Sequence, residues 1–319
     1  MRIRAWRLGD DCMTTSRIPS ALRHLCTDVA PLWPLTSMRV GGPARWLAEP
    51  HTEGELEAIV AWAQTHDIPL AILGAGTNVL FADNGFPGIV IQTHHLDSVE
   101  INGNIVTAQC GANLTELSRH LNSIGLSGLE WACGIPGTIG GAVVMNAGAQ
   151  GGDIASALSG VRMLTPEGVK DLPAEQLKLG YRTSALLAGT LEGIVLSATF
   201  SLREDAPEHC LSRGREILAT RRQTQPAGAS SGCIFKNPEV GPTAGELLDR
   251  AGCKGMRVGR AGVSTKHANF IINESENNAD DVLELIERMK LRVRGAHGID
   301  LHEEVVIIHN FGDTIRNSR

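Results

Sequence analysis

Cys233 is the residue of this chain whose type and position first raise a chemical question. It lies in the stretch ASSGCIFKNP, residues 229–238, between a glycine and an Ile-Phe-Lys-Asn-Pro run. Free cysteines are often small buried hydrophobic residues, and in that case Cys233 contributes only packing. A thiol can also hand a proton to a bound molecule, which would make Cys233 a general acid. The rest of the sequence has to decide between these two interpretations.

Two glycine-rich stretches indicate places where the backbone could approach a ligand. The first, GAGTNVL at 74–80, follows a predicted strand, and Gly74 and Gly76 allow a sharp turn whose amides point at an anion. It is no Rossmann fingerprint, because Val79 takes the place of the third glycine and no clean helix follows. A plain structural turn therefore explains this stretch equally well.

The second stretch, CGIPGTIGGAVVMNAGAQGGD at 133–153, is more informative. Its glycines alternate with small apolar residues rather than with the serines or lysines of a surface linker. The backbone must therefore approach another group closely over a long path. A pyrophosphate and a flat ring system would fit, while a buried glycine-rich helix junction is the alternative. Together the two stretches suggest one extended cofactor clasped between subdomains, such as a flavin dinucleotide.

Composition limits the class of protein. The 319 residues suggest about two domains, and 42% hydrophobic with 20% charged residues is ordinary for a globular protein with a sizeable core. The formal net charge of -6 and the pI near 6.0 argue against a nucleic-acid-binding protein, which would carry a basic stripe. A small anionic substrate could still meet a local basic site.

The cysteines and the apolar runs favour a cytoplasmic protein. The seven cysteines contain no Cys-x-x-Cys pair, and their odd number and wide scatter fit reduced thiols better than a disulfide framework. No apolar run approaches the ~18 residues of a membrane helix, and the basic amino terminus lacks the apolar region of a signal peptide. Residues 1–33 carry little pattern, and Met13 could be the true start.

The spacing of apolar and capping residues predicts the elements that position these stretches. A capping box of Thr52 and Glu55 opens a helix over 53–65, and Asn113 caps a helix of regularly spaced leucines that stops at Gly125. The other elements expected in this half are strands at 69–74, 88–93 and 193–202, a short tightly packed helix within 137–148, and a hairpin over 160–172 with its turn at 166–168.

A boundary is expected near 203–206. Beyond it we expect helices at 206–222, 244–251 and 279–295, and strands at 268–273 and 303–308. Val282, Ile286, Met289 and Val293 line one face of the long helix. Strands and helices interleave without regular βαβ alternation, so the predicted fold class is α+β.

Seven blocks of sequence occur in an order that resembles one known family. The blocks are TSMRVGGPA (36–44), LGAGTNVL (73–80), GIPGTIGGAVVMNAGA (134–149), YRTS (181–184), GCIFKNP (232–238), STKHANFIIN (264–273) and LHEEV (301–305). Over about residues 34–310 they resemble the UDP-N-acetylenolpyruvoylglucosamine reductases, the MurB family of bacterial cell-wall synthesis. The short linker between YRTS and GCIFKNP is similar to the subclass without an extra tyrosine loop, and the single tyrosine, Tyr181, agrees.

The resemblance implies a fold and a cofactor. The family has a vanillyl-alcohol-oxidase-type FAD-binding domain of two α+β subdomains and a C-terminal α+β substrate-binding domain. We expect these domains at 34–204 and 205–319, after an N-terminal extension, 1–33, of unknown role. No histidine in 74–80 could attach a flavin, so FAD is expected to be non-covalent. The residues expected near FAD are Arg39, Gly41, Gly74, Ala75, Gly76, Thr77, Asn78, Val79, Gly134, Ile135, Pro136, Gly137, Thr138, Gly140 and Gly141.

The resemblance also implies a reaction. The family reduces the enolpyruvyl ether of UDP-N-acetylglucosamine to the lactyl ether, UDP-N-acetylmuramate, with FAD and NADPH, in peptidoglycan precursor synthesis. Hydride addition to the vinyl group leaves an enediolate, which needs a cation or hydrogen-bond donor beside it and an acid at the neighbouring carbon.

Three residues of the blocks are assigned to this chemistry by the resemblance. Arg182 is expected to bind the substrate carboxylate. Glu304, which lies directly before the valine of LHEEV, is expected to share the charge of the enediolate. Glu303 is expected to face solvent. Cys233 stands where most members carry a proton-donating serine, so it is the expected general acid. The alternative is an inert Cys233, with water as the proton source.

The remaining blocks are assigned to the UDP-sugar, through Tyr181, Lys236, Asn237, His267 and Asn269. For Asn237, capping the Pro238 turn is an equally good interpretation. No metal, nucleic acid, membrane insertion or obligatory protein partner is expected. Two competing functions are an FAD-dependent oxidase of the same fold, which would need a substrate base in place of Arg182 and Cys233, and a non-catalytic flavin or nucleotide-sugar binding protein.

Overall fold

The structure, a computed structural model, describes residues 17–276 and 278–308. The possible start at Met13 lies outside these residues. The α-helices are α1 (Glu53–Thr65), α2 (Leu114–Ser123), α3 (Ile139–Met145), α4 (Pro207–Thr224), α5 (Ala244–Arg250) and α6 (Ala279–His297). Short 3-10 helices lie at Arg23–Leu25, Trp33–Leu35, Glu130–Ala132, Ile154–Ser156 and Ala174–Leu177.

The strands are short and spread along the described chain. They are β1 (Cys26–Pro31), β2 (Pro43–Ala48), β3 (Leu70–Leu73), β4 (Val79–Phe81), β5 (Phe86–Gln92), β6 (Val99–Asn102), β7 (Ile105–Gln109), β8 (Leu126–Ser127), β9 (Gly148–Ala149), β10 (Gly152–Asp153), β11 (Leu158–Thr165), β12 (Gly168–Pro173), β13 (Ile194–Ser201), β14 (Arg203–Glu204), β15 (Arg257–Val258), β16 (Ala261–Val263), β17 (Ile271–Asn273) and β18 (Val306–Ile308). This mixture of helices and strands confirms the α+β class.

The helix starts follow the capping signals of the sequence. Thr52 Oγ1 accepts a hydrogen bond from Glu55 N at 3.2 Å, and the Glu55 carboxylate accepts one from Thr52 N at 3.2 Å, so the predicted capping box is confirmed. Asn113 Oδ1 accepts from Glu116 N at 3.1 Å and opens α2. That helix ends before Gly125, whose φ of +77° suits glycine.

Packing divides the described chain into two compact units. Unit 1 comprises 17–27, Leu47–Ala75 and Ile89–Arg221, and unit 2 comprises Asp28–Trp46, Gly76–Gly88 and 222–308. Each unit is thus assembled from separated stretches, and the division falls inside β1, β2, β5 and the last turn of α4. β1 also shows that part of the N-terminal extension is built into the fold. The predicted functional boundary at 204/205 stays a prediction, while the packing division after it falls near the end of α4, between Arg221 and Arg222.

Unit 1 is organised around a five-stranded antiparallel sheet in the order β12-β11-β13-β7-β6. The predicted hairpin over 160–172 is confirmed, since β11 pairs with β12 from Gly160↔Pro173 to Thr165↔Gly168. Met163 and Phe200 are fully buried in this sheet, and α3 packs against β13. A parallel pair of β3 with residues 89–92 of β5 places the end of β3 directly before the first glycine stretch.

Unit 2 contains a three-stranded antiparallel sheet in the order β15-β16-β17 and a parallel pair of β18 with β4. α6 packs on β15, on β16 and on α5. The four residues predicted to line one face of α6 are all buried, which confirms its amphipathic assignment: Val282, Ile286, Met289 and Val293.

Two predicted strands of unit 2 are wrong in length. β17 covers only Ile271–Asn273, because residues 267–270 turn, with Phe270 N donating to His267 O at 3.1 Å. β18 begins at Val306, and Glu303 makes only an isolated bridge to Phe235. Strand alternation therefore does not govern Glu303 and Glu304, and the expectation that Glu303 faces solvent is wrong. Its side chain is 21% exposed and pairs with Lys290 at 2.7 Å.

Within the part of the chain that the structure describes, no helix has both the length and the apolar character needed to cross a membrane.

Candidate active site

The glycine segment, residues 133–153 of unit 1, surrounds α3. Thr138 caps this helix and lies so close to Gly74 that a Cβ added at Gly74 would overlap Thr138 Oγ1. A Cβ at Gly140 would lie 2.9 Å from the Cβ of Cys110. Both glycines are therefore required by close packing inside the protein, and the segment meets Gly74 of the first glycine stretch.

The outer side of the same segment is different. Ala75, Pro136 and Gly141 are exposed, although the residues around them are buried or half-buried. A Cβ at Gly141 would have only Thr138 Oγ1 within 4 Å, at 3.5 Å. This side of unit 1 therefore presents backbone and small uncharged side chains to solvent, as a surface that receives a flat ring or a phosphate would.

Hydrogen bonds fasten the YRTS block to the glycine segment. Arg182 Nη2 donates to Gly148 O at 2.5 Å, and Ser184 Oγ donates to Val144 O at 2.6 Å. Arg182 has a φ of +50°, which a non-glycine residue adopts only under constraint from its surroundings. Its guanidinium also lies 5.4 Å from the ring centroid of Tyr181, which is 57% exposed.

Asn146 is a positioning residue that the sequence analysis missed. It ends α3 in the left-handed conformation, with a φ of 41°. Its Nδ2 donates to Gly180 O at 2.8 Å and to Asp153 at 3.1 Å, and its Oδ1 accepts from Ala155 N at 3.0 Å. An asparagine directly after a helix is a known C-terminal signal, so this role was available from the sequence.

A network of charged residues in unit 1 includes Glu130, which lies just before the glycine segment in the chain. Arg213 Nη2 lies 2.6 Å from both Glu130 Oε1 and Asp205 Oδ2, and Glu130 also accepts from Ser127 Oγ at 2.8 Å. Burial raises the pKa of Glu130, but the bonds from Arg213 and from nearby donors outweigh it, and the net pKa is lowered. Arg213 likewise lowers the pKa of Asp205 to about 2.

In unit 2, the rest of the first glycine stretch packs against the 36–44 block. Gly76 has a φ of +63°, and a Cβ there would overlap Leu35 O. Gly76 O accepts from Ser37 N at 2.9 Å, and Ser37 Oγ donates to Ser230 O at 2.8 Å. Arg39, also at a positive φ, of 57°, is exposed beside these bonds.

The cysteine segment, residues 229–238, carries Cys233 next to Glu304. Cys233 forms an isolated bridge with Phe270, and Ile234 N donates to Asn269 O at 2.9 Å. Ile234 O accepts from Glu304 N at 2.7 Å. Cys233 and Glu304 are both half-buried, and both adjoin the backbone of Ile234, Cys233 as its chain neighbour and Glu304 through its backbone N–H.

Asn78 completes this cluster. Its Nδ2 donates to Glu304 O at 3.0 Å, and its own carbonyl accepts from Val306 N at 3.0 Å. The bend that carries Glu304 is therefore held from both sides, by Asn78 and by Ile234.

Two of the residues predicted to bind the UDP-sugar also make hydrogen bonds to the backbone of unit 2. Asn269 is buried; its Oδ1 accepts from Phe235 N at 2.9 Å and its Nδ2 donates to Phe235 O at 2.8 Å. Asn237 Oδ1 accepts from Ala244 N at 3.0 Å, so it contacts the start of α5. This bond is a structural role for Asn237 at α5, which is not the capping of the Pro238 turn that the sequence suggested.

Lys236 and His267 lie beside them. Lys236 is half-buried, and its backbone N donates to His302 O at 2.9 Å. Burial, and then Lys254, lower the pKa of His267, which agrees with Nδ1 accepting from Asn269 N at 3.2 Å. Ser231, which the sequence analysis did not single out, has a buried Oγ without a hydrogen-bond partner in the described chain.

Comparisons with known proteins agree with the sequence blocks. Residues 224–308 match the family described as UDP-N-acetylenolpyruvoylglucosamine reductase, C-terminal domain, and residues 44–171 match the FAD binding domain family. Enzymes named UDP-N-acetylenolpyruvoylglucosamine reductase are similar in Synechococcus sp. strain RCC307, at 42% identity over 93% of this chain and 98% of the relative, and in Clostridium botulinum strain Eklund 17B, at 39% over 85% and 89%.

A solved structure is similar over nearly the same length. The crystal structure of UDP-N-acetylenolpyruvylglucosamine reductase (MurB) from Thermus caldophilus has 36% sequence identity and a TM-score of 0.76, covering 88% of this chain and 97% of that one.

Proposed function

This chain belongs to the UDP-N-acetylenolpyruvoylglucosamine reductase family, and from that premise we propose that it reduces UDP-N-acetylglucosamine enolpyruvate to UDP-N-acetylmuramate with NADPH, as a step of peptidoglycan precursor synthesis. It is a flavin-dependent oxidoreductase with an FAD-binding domain of the vanillyl-alcohol-oxidase type and the family's C-terminal domain. The match of residues 224–308 to the reductase domain favours this function over an oxidase of the same fold.

The residues of unit 1 fit FAD. The exposed backbone at Ala75, Pro136 and Gly141 is the surface that a flat ring and a pyrophosphate require. We propose that the glycine segment and Gly74–Val79, with Arg39 and Gly41, hold FAD without a covalent bond. Bound there, FAD would supply the transfer of a hydride from NADPH to the vinyl group of the substrate.

The observation that carries the proposed reaction is the placement of Cys233 and Glu304 on either side of Ile234. Hydride addition at one vinyl carbon must be balanced by one proton at the carbon that bears the carboxylate. We propose that the Cys233 thiol donates this proton, as the alcohol of serine does in most members. Asn269 holds the adjacent Phe235 backbone, so the thiol is carried on a rigid support.

Charge stabilisation is assigned to Arg182 and Glu304. The enediolate concentrates negative charge on the substrate carboxylate, and a guanidinium binds a carboxylate through two parallel hydrogen bonds. Arg182 has an unfavourable φ inside the turn that the backbone bonds between Gly180 and Thr183 close, and its guanidinium is bound to Gly148 O. Constraints of this kind preorganise a catalytic side chain. Glu304, hydrogen-bonded or protonated, would share the charge.

For the UDP-sugar we propose Lys236, His267 and Tyr181 as contacts, with Asn237 and Asn269 as positioning residues. The buried hydroxyl of Ser231 offers a further donor to a bound molecule. We propose 34–204 as the part that binds FAD and 205–319 as the part that binds substrate. The cytoplasm, where NADPH and nucleotide sugars occur, is the compartment we propose.

Absorption spectra of the purified protein test this function. We expect a yellow protein that releases FAD on denaturation, is bleached by NADPH, and regains its colour when UDP-N-acetylglucosamine enolpyruvate is added. Recovery of colour with oxygen alone, at the same rate, would favour an oxidase. Colourless protein that takes up no added FAD would contradict the proposal.

A further inference from the structure

A cluster of imidazole and carboxylate groups lies in unit 1 on residues to which the proposed reaction assigns no role. Glu49 follows β2, and His94 and His95 follow β5. One potential ligand atom from each of the three side chains lies within 4.8 Å of the other two. Two imidazoles and one carboxylate form a donor set that holds Zn²⁺ or Fe²⁺ in proteins and leaves coordination positions for water.

The backbone beneath the cluster is fixed. His94 and His95 are the central residues of a turn in which Leu96 N donates to Thr93 O at 2.9 Å. Leu96 is fully buried and its carbonyl accepts from Gly111 N at 2.7 Å. Glu49 N donates to Leu25 O at 2.9 Å. The three side chains therefore project from anchored positions, which lowers the conformational entropy lost on binding an ion.

The distances leave room for a metal ion between the three side chains. His94 Nε2 and Glu49 Oε1 are 3.7 Å apart, beyond hydrogen-bond length. Ligands ~2.0 Å from a tetrahedral zinc ion stand roughly 3.3 Å from one another, so small side-chain rotations would complete the geometry. These rotations are open to the side chains, because those of Glu49 and His94 are 37% and 39% exposed.

Two further observations favour an ion at this place. His94 Nδ1 is buried and has no hydrogen-bond partner within the described residues. His51 stacks on His95, with ring centroids 4.0 Å apart and an interplanar angle of 16°, which fixes the orientation of the His95 ring.

We propose that Glu49, His94 and His95 bind one divalent transition-metal ion, and that Zn²⁺ is the ion that suits this donor set. The ion links the segment after β2 to the turn after β5 within unit 1. It is a structural or regulatory ligand, separate from the proposed flavin chemistry.

Zinc binding to the FAD-loaded full chain tests the site. Equilibrium dialysis with ZnCl₂ at pH 7.5 should show one zinc ion bound per chain. Glu49→Gln and His94→Gln should each lower the zinc affinity at least ~10-fold, since each removes a ligand. X-ray absorption at the zinc edge should show only nitrogen and oxygen neighbours near ~2.0 Å, without the sulfur distance of ~2.3 Å. Addition of Zn²⁺ should raise the melting temperature of the parent and not of the variants.

His209→Gln is the matched control, because His209 also lies beside a carboxylate, Asp205, at 3.2 Å but without a second histidine. It should bind zinc like the parent. The melting temperature of each variant without zinc checks that it folds. Sulfur neighbours at the zinc edge, or equal zinc affinity in parent, Glu49→Gln and His94→Gln, would overturn the site.

Discussion

The glycine segment of unit 1 and the cysteine segment of unit 2 are built in opposite ways. Around α3, Gly74 and Gly140 leave out side chains so that backbones touch, and the exposed Gly141 leaves a surface of main chain. At 229–238, side chains do the positioning, since both ends of the Asn269 amide bind the backbone of Phe235. We therefore expect the glycine segment to lose FAD binding or stability when atoms are added, and the cysteine segment to lose activity when side-chain atoms are removed.

The largest effect is expected at Cys233. Cys233→Ala should slow steady-state turnover by ~10²–10⁴-fold, because a lost general acid leaves the proton to solvent, while Cys233→Ser should retain substantial activity. Stopped-flow absorbance should show normal reduction of FAD by NADPH in both variants and a slow oxidation by substrate in Cys233→Ala alone.

Cys253→Ala is the control for Cys233, since Cys253 is a fully buried thiol of the same unit. It should lower the melting temperature and leave the proton step intact. If Cys233→Ala turns over at the parent rate, Cys233 contributes only packing.

The next largest effect should separate the adjacent acids of LHEEV. Glu304→Ala should slow the substrate half-reaction by ~10²–10³-fold, the usual effect of losing a group that stabilises developing charge, and leave FAD reduction normal. Arg182→Ala, in unit 1, should give the same pattern. Single-turnover rates of the two half-reactions measure this.

Glu303→Ala is the matched neighbour. It removes the pair with Lys290, which keeps Glu287 as a partner at 3.2 Å, so stability should fall while both half-reactions stay near the parent rates. A slow substrate half-reaction in Glu303→Ala but not in Glu304→Ala would reverse the assignment of the two acids.

A smaller effect should follow from adding one carbon to the first glycine stretch. Gly74→Ala places a Cβ on Thr138 Oγ1, and such overpacking typically costs ~1–3 kcal/mol, which we expect as weaker FAD binding or a lower melting temperature. Fluorescence titration with FAD and thermal unfolding measure the two. Thr138→Ala alone should also cost stability, because it removes the cap of α3. In the Thr138→Ala background, Gly74→Ala should cost less than in the parent, because the overlapping atom is gone.

Gly54→Ala is the control for that change. A Cβ at Gly54 meets nothing within 4 Å and the residue lies in α1, so alanine there should stabilise the helix by about 1 kcal/mol. Unchanged FAD affinity and stability in Gly74→Ala would show that the contact between the two glycine stretches can relax at no cost.

The contrast between the segments also explains what the sequence could predict. Local signals were sufficient for α1, for α2 and for the hairpin of β11 and β12, since a cap, a leucine repeat or a turn lies within each element. Cys233 and Glu304 could be assigned through the resemblance, but their shared contact with Ile234 joins residues that are far apart in the chain.

The errors have the same origin. The bend at Glu304 is held by Asn78 and Ile234, so alternation within LHEEV could not reveal that Glu303 pairs with Lys290. The turn at 267–270 makes β17 begin later than predicted for a similar reason, because Asn269 bonds to Phe235. The stretches 28–46 and 76–88 belong to unit 2 through packing that no local pattern records.

The smallest effect we predict concerns acid stability in unit 1. Arg213 first, and then the Ala206 N–H and His209, lower the pKa of Asp205 to about 2, below the ~3.9 of an unfolded chain. A depressed folded-state pKa means that the carboxylate stabilises the fold above pH ~4 and loses this contribution as the pH falls toward about 2. The parent's melting temperature should therefore fall more steeply between these values than that of Asp205→Asn, which lacks the titrating group. Asp249→Asn removes a carboxylate of unit 2 whose side chain is 51% exposed, and should keep the parent's steep fall. Parallel curves of melting temperature against pH for the parent and Asp205→Asn would show that the network of Arg213, Glu130 and Asp205 does not determine the acid sensitivity of the protein.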